Sequence, residues 1–252
     1  WPDLDVQLSS VTEQWAQFAV AGPQSRALAA RILPGIDLSN GVFPYMAAAE
    51  TAWRGAPARI YRLSFSGELA FEIGVPSVYG DAFMRALIAA GQDLGVAPYG
   101  TEAMAIMRIE KGHAAGGELN GQVTAGDLGL GKMLSTKKIF IGQALASRPG
   151  LIDPQRPGLV GARPVDQSKR IRAGAHFTPL SGPRDAANDL GWISSTAFSP
   201  SLNSWITLGF IKGGAGRIGE RVLAFDPVRG AETEVEICSP VFVDPEGGRL
   251  RG

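Results

Sequence analysis

From about residue 155 onward the chain contains no segment with convincing helical periodicity. It is a series of short β-like pieces: Leu159–Val165, Gly191–Thr196, Trp205–Phe210, Arg221–Phe225 and Val235–Ile237, with turn residues between them. Such a stretch can hide its apolar positions in few ways. Its strands must pair antiparallel and then close or stack, which predicts a small barrel or sandwich. The 33 glycines and 17 prolines fit a chain of many turns.

The first part has a different texture. Phe18 to Val20 reads as a strand, Gly22-Pro23 breaks it, and Ala27, Leu28 and Ile32 follow at helical spacing. One glycine in that turn is too few for a dinucleotide fingerprint. A second helix places Phe83, Leu87 and Ile88 on one face and stops at Gly91. A third begins at Thr101 and ends at Gly112, with Ala103, Ile106 and Met107 as its apolar face. The Gly-rich stretch after it reads as a structured, functional loop. The change of texture predicts two domains, residues 1–154 and 155–252.

Composition excludes several classes. At 45% hydrophobic and 19% charged the chain can build a core. Lys+Arg and Asp+Glu balance at 24 each, so nothing in the net charge favours nucleic acid or an anionic membrane. No apolar run approaches the ~20 residues of a membrane helix. Cys238 is the single cysteine, so no intrachain disulfide forms and a reducing, cytoplasmic setting is expected. With only His113 and His176, no zinc site is expected. The chain opens on Trp1 with neither a signal nor a transit pattern, which reads as a fragment whose N-terminal part is missing.

The stretch "RLSFSGELAFEIGVP", residues 62–76, reads as a β-hairpin around Ser66-Gly67-Glu68. Folded on that three-residue loop, Leu63 faces Phe71 and Tyr61 faces Ile73, and Arg62 lies across from Glu72. Glu72 then shares the polar face with Ala70 and Gly74. Two readings stay open. One is a cross-strand ion pair on a solvated face. The other is a pocket carboxylate, held by Arg62, that accepts paired N–H donors from a planar heterocycle. "RIEKGH" reads as the polar end of a surface helix or a site entrance, and Asp127 as a turn residue. Residues 136–138 read as a solvated run, and Arg217 and Arg221 as decoration of the barrel exterior.

Several segments, in this order, resemble one family. "FAVAGPQSRALAARI", "YRLSFSGELAFEIGVP", "AMAIMRIEKGH" and "GWISSTAFSPSLNSWITLGFI" are similar to the aminomethyltransferases, the T-protein of the glycine cleavage system. The likeness spans about residues 15–245. Within it, "YGTEAMAIMRIEKGHAAGGELNGQVTAGDLGLGKMLSTKKIFIG" and "SPVFVDPEGGRLRG" look most like the C-terminal part of sarcosine oxidase α subunits. The resemblance implies a ferredoxin-like α+β folate-binding region followed by a small antiparallel C-terminal β-barrel. It implies tetrahydrofolate as ligand, with FAD, FMN and NAD elsewhere in a hetero-oligomer of sarcosine oxidase subunits. It implies oxidative demethylation of sarcosine to glycine, the one-carbon unit passing to 5,10-methylenetetrahydrofolate.

Residue by residue, Glu72 stands at the family's pterin-binding glutamate. Arg62, Phe65, Gly67 and Glu68 match the rest of that motif. Met104 stands where T-proteins usually have a folate-contacting arginine, a departure that suits the sarcosine oxidase branch. The family's catalytic aspartate falls upstream of Trp1, so the fragment alone is expected to be inactive. Alternatives within the resemblance are an ordinary aminomethyltransferase, a dimethylglycine dehydrogenase-like relative, or a non-catalytic folate-binding scaffold. The scaffold proteins usually carry Lys-Gly-Cys-Tyr, where this chain has Lys111-Gly112-His113.

Overall fold

The computed structural model describes residues 3–252; Trp1, on which the fragment reading rests, lies outside the described residues. The chain divides into two compact units. One comprises residues 1–100 together with 246–252, the other residues 101–245.

In the first unit the elements run β1 (Trp15–Ala21), α1 (Ser25–Ile32), β2 (Ala48–Trp53), β3 (Ala56–Tyr61), β4 (Ala70–Pro76) and α2 (Gly80–Gly91). The four strands make an antiparallel sheet in the order β1-β4-β3-β2. One face is apolar. Ile60, Phe71, Ile73 and Val75 pack there with Leu28, Ala29 and Ile32 of α1 and Phe83 and Leu87 of α2. Phe83 meets Phe18 and Trp53 at ring-centroid distances of 5.1 and 5.0 Å. Each such side chain removed from water contributes roughly 1.5–3 kcal/mol. β2 and β3 are joined by Arg54-Gly55 alone. Both have positive φ, 50° and 84°, as a two-residue hairpin turn matched to strand twist requires.

The predicted register of the 62–76 hairpin is corrected. Tyr61 pairs with Glu72, Ile60 with Ile73 and Arg59 with Gly74, so the pairing is slipped by one residue. The connection is not three residues but the whole of residues 62–69. The cause lies in the backbone of Arg62. Its N–H donates to Ala47 O at 2.8 Å and its carbonyl accepts from Met46 N at 3.0 Å, so it stays with the segment before β2 and leaves β4. A slip of one reverses the face of every β3 side chain. Tyr61, not Arg62, joins Glu72.

The second unit carries α3 (Thr101–Glu110) and six strands: β5 (Pro157–Pro164), β6 (His176–Thr178), β7 (Gly191–Ser199), β8 (Ser204–Lys212), β9 (Arg221–Asp226) and β10 (Ala231–Cys238). They form a closed antiparallel barrel in the order β10-β5-β8-β7-β6-β9. The α+β class and the small C-terminal barrel stand as expected. β6 has three residues and went unseen in the sequence. Val160, Phe177, Ile193, Ile211, Val222 and Val235 form one buried cluster. Ile206, Leu208 and Phe210 form another, with Ile109 of α3 and Phe242. Ala103, placed on the apolar face of α3 from sequence, is exposed; Ile109, with Ile106 one turn before it, takes its place. Among the described residues, no helix is long and apolar enough to cross a membrane.

Candidate functional site

The sheet of the first unit buries one face under α1 and α2 and leaves the other open. Strand alternation puts Glu72 and Gly74 of β4 on the open face, with Tyr61 and Arg59 of β3 and Trp15, Gln17 and Ala19 of β1. Phe71, Ile73 and Val75 occupy the opposite, buried face. So Glu72 does not interrupt an apolar surface; it stands behind it.

Around Glu72 the neighbours are small or polar. Ala19 and Tyr61 are its direct cross-strand partners. Gln17 Nε2 donates to Glu72 Oε2 at 2.5 Å. Burial raises the pKa of the Tyr99 hydroxyl, and the charge of Glu72 raises it further, so Tyr99 lies within reach of the carboxylate's field. Beside them Arg59 stacks over the Trp15 ring, 3.9 Å from its centroid, and reaches Glu50 at 3.8 Å. The result is a carboxylate on an open shelf, braced by an amide and bordered by aromatic rings. Such a shelf can accept two adjacent N–H donors from a flat ring.

The other candidates from the 62–76 motif are not gathered around Glu72. Arg62, expected to hold that carboxylate, is corrected: its side chain is 1% exposed and lies inside the unit. Nη1 donates to Phe43 O at 2.8 Å and Nη2 donates to Arg251 O. Nε has no partner. Burial, and then the charge of Arg26, hold its pKa below the ordinary arginine value. Gly67, at φ +86°, turns the connection, with its N–H on Ser64 Oγ at 3.0 Å. Glu68 pairs with Arg249 at 3.2 Å. Phe65 is exposed at 38%. Met104 belongs to the other unit, half-buried on α3.

Sequence reasoning missed Gln17, Tyr61 and Tyr99. The signal for Gln17 was present: it alternates with Phe18 and Val20, so it had to face away from the core. Tyr61 was hidden by the one-residue slip.

In the second unit several acidic residues are bound up internally. Glu118 is fully buried and accepts from Arg108 Nη1 at 2.9 Å, Ala115 N at 2.9 Å, and Ser194 and Ser195 Oγ at 2.6 Å each. Burial alone would push its pKa up. The serine hydroxyls, the Ala115 N–H and the Arg108 charge outweigh it and leave the pKa below the ordinary 4.5. Two consecutive strand residues reach one carboxylate because β7 bulges between Ile193 and Ser195. "RIEKGH" is not the polar end of a surface helix. Glu110 and Lys111 are buried, the first taking a bond from Ser199 Oγ at 2.5 Å, the second pairing with Asp244 at 2.9 Å. Asp127 accepts from Thr124 N at 2.9 Å and pairs with Arg156 at 2.6 Å. His113 donates its backbone N–H to Arg108 O at 2.8 Å. Arg221 is exposed on the barrel and pairs with Glu234 at 3.4 Å.

Comparison with known proteins gives this geometry a context. Residues 1–138 match the GCVT N-terminal domain, and residues 158–244 match the glycine cleavage T-protein C-terminal barrel domain. The sarcosine oxidase subunit alpha of Rhizobium meliloti (strain 1021) is 43% identical over 99% of this chain, and that of Corynebacterium sp. (strain P-1) 40% identical over all of it. The chain spans about a quarter of those relatives, 26% of each. The aminomethyltransferase of Mycobacterium avium (strain 104) is 31% identical over 94% of the chain and 62% of the relative. In fold, the chain superposes on the crystal structure of glycine cleavage system aminomethyltransferase T from Bartonella henselae with a TM-score of 0.74, at 24% identity, over 92% of this chain and 60% of that one. Both domain matches and the sequence relatives agree with the sheet-and-barrel architecture: the chain belongs to the glycine cleavage T-protein family.

Proposed function

We propose that this chain is the tetrahydrofolate-binding region of a sarcosine oxidase α subunit. The observation that carries the reading is Glu72: a carboxylate on the open face of the sheet, between Ala19 and Tyr61, bound to an amide rather than a cation. A reduced pterin presents its 2-amino group and N3–H side by side, and one carboxylate accepts both. The likeness to sarcosine oxidase α subunits at 43% identity supports the branch.

In this reading the whole enzyme is an oxidoreductase that demethylates sarcosine to glycine. FAD, FMN and NAD sites lie outside this chain's residues, and other subunits complete a hetero-oligomer. This region binds and orients tetrahydrofolate so that its N5 meets the one-carbon unit, a gain from proximity rather than from a protein nucleophile. Residues 1–154 form the folate-binding part and 155–252 the C-terminal barrel domain. Phe65, Gly67 and Glu68 belong to the connection that leads into β4, and Arg62 contributes from within by fixing that connection.

Calorimetry on the full-length protein tests this. Glu72→Gln weakens tetrahydrofolate binding roughly tenfold or more, since one N–H acceptor becomes a donor. Unchanged affinity overturns the assignment.

A further inference from the structure

The hydrogen bond from Gln17 to Glu72 has no part in the strand pairing. In register Gln17 lies opposite Gly74, and Glu72 opposite Ala19, so the two side chains are diagonal neighbours. Gly74 and Ala19 have little or no side chain to come between them, and the long side chains of Gln17 and Glu72 lean together. A Cβ built on Gly74 would stand 3.6 Å from Trp15 Cε3, an ordinary contact distance, so the indole edge packs over the glycine. The amide nitrogen is committed to Glu72 Oε2 at 2.5 Å. That leaves the carboxamide oxygen, Oε1, with two lone pairs of its own, while a carboxylate has about four acceptor sites and only one is taken by Nε2. Gln17 is itself exposed on the open side of the sheet.

We propose that Gln17 is a specificity-determining residue that reads the exocyclic amino group of the bound heterocycle together with Glu72. The inference rests on the folate reading above. A 2-amino group carries two hydrogens. Glu72 takes one of them along with the ring N3–H, and Gln17 Oε1 takes the other. The Glu72 bond to Nε2 fixes the orientation of the amide, so its oxygen and not its nitrogen meets the ligand. Rings that lack the amino group leave Gln17 Oε1 without its donor.

The test is a two-by-two comparison on the full-length protein, with tetrahydrofolate and its 2-desamino-2-methyl analogue as probes. Gln17→Met keeps the length of the side chain and removes both polar atoms. The expected result is an affinity loss for tetrahydrofolate of about tenfold, against less than about twofold for the analogue, one hydrogen bond being worth about that ratio. Equal losses for both probes mean that Gln17 only supports the sheet, and overturn the inference. No loss for either probe, with Glu72→Gln still weakening tetrahydrofolate, also overturns it and leaves the folate reading standing. If Glu72→Gln has no effect either, the folate reading falls and this inference with it.

Discussion

At the scale of single residues, the chain separates two roles that one motif seemed to join. Arg62 and Glu72 are ten positions apart in a single hairpin signature, and spacing alone paired them. The structure puts Glu72 on an open face and Arg62 among backbone carbonyls. Arg62→Ala is therefore a stability variant. It leaves the Phe43 and Arg251 carbonyls without a donor and opens a cavity, an expected loss of about 3 kcal/mol in a denaturant melt. Glu118 is the counterpart in the second unit. Its folded pKa lies below its unfolded value, so its contribution is complete above the ordinary 4.5 and is lost as pH falls through the lower folded value. Glu118→Ala leaves the Arg108 charge buried without its partner, and the melt is expected to report a loss of about 3–5 kcal/mol at pH 7. The gap between wild type and variant narrows as the melt is repeated at pH values stepping down below 4.5; a gap that stays constant down to pH 3 contradicts this account of Glu118.

At the scale of elements, regularity was legible and its interruptions were not. The alternation of Phe71, Ile73 and Val75 with Glu72 and Gly74 announced β4 and its two faces. The helical spacing of Leu28 and Ile32, and of Phe83 and Leu87, announced α1 and α2. What failed was the register beside β4, because the deciding bonds run from Arg62 to Met46 and Ala47, a tertiary pairing that no local pattern encodes. The β7 bulge is similar. "ISS" in isolation is a strand with a serine on each face. Only the bulge aims both serines at Glu118. Gly191, at the start of β7, marks another such irregularity. Its φ is +144°, and a Cβ there would stand 1.9 Å from Phe210 O. Gly191→Ala is expected to push β7 off β8 and lower barrel stability by about 3 kcal/mol or more, against about 1 kcal/mol for Gly55→Ala, where only the positive φ is at stake. Thermal melts of the two variants side by side check the order; equal losses would contradict it.

At the scale of the whole molecule, sheet and barrel each have a core of their own, yet the units do not follow the chain's order. The sheet unit is left at Gly100 and completed by residues 246–252. Those last residues supply the Arg251 carbonyl to Arg62, the Gly252 carbonyl to Asn40 Nδ2 at 2.6 Å, and Arg249 to Glu68. Deleting residues 247–252 is expected to raise amide exchange around Phe43, Arg62 and the 62–69 connection about tenfold or more while β7 and β8 keep their protection. Loss of protection in β7 and β8 instead would contradict the division. Composition acts at this scale too. With a formal charge of +0 and an isoelectric point near 7.0, the solubility of this chain is expected to pass through a minimum close to neutral pH. The discontinuity of the sheet unit has a consequence in time. During synthesis, α1, α2 and all four strands emerge well before the carbonyl that Arg62 needs, which lies 189 residues later. Until residue 251 has been made, that guanidinium has to remain hydrated or wait half-satisfied, so the sheet that bears Glu72 is translated ahead of the barrel strands but completed only after them.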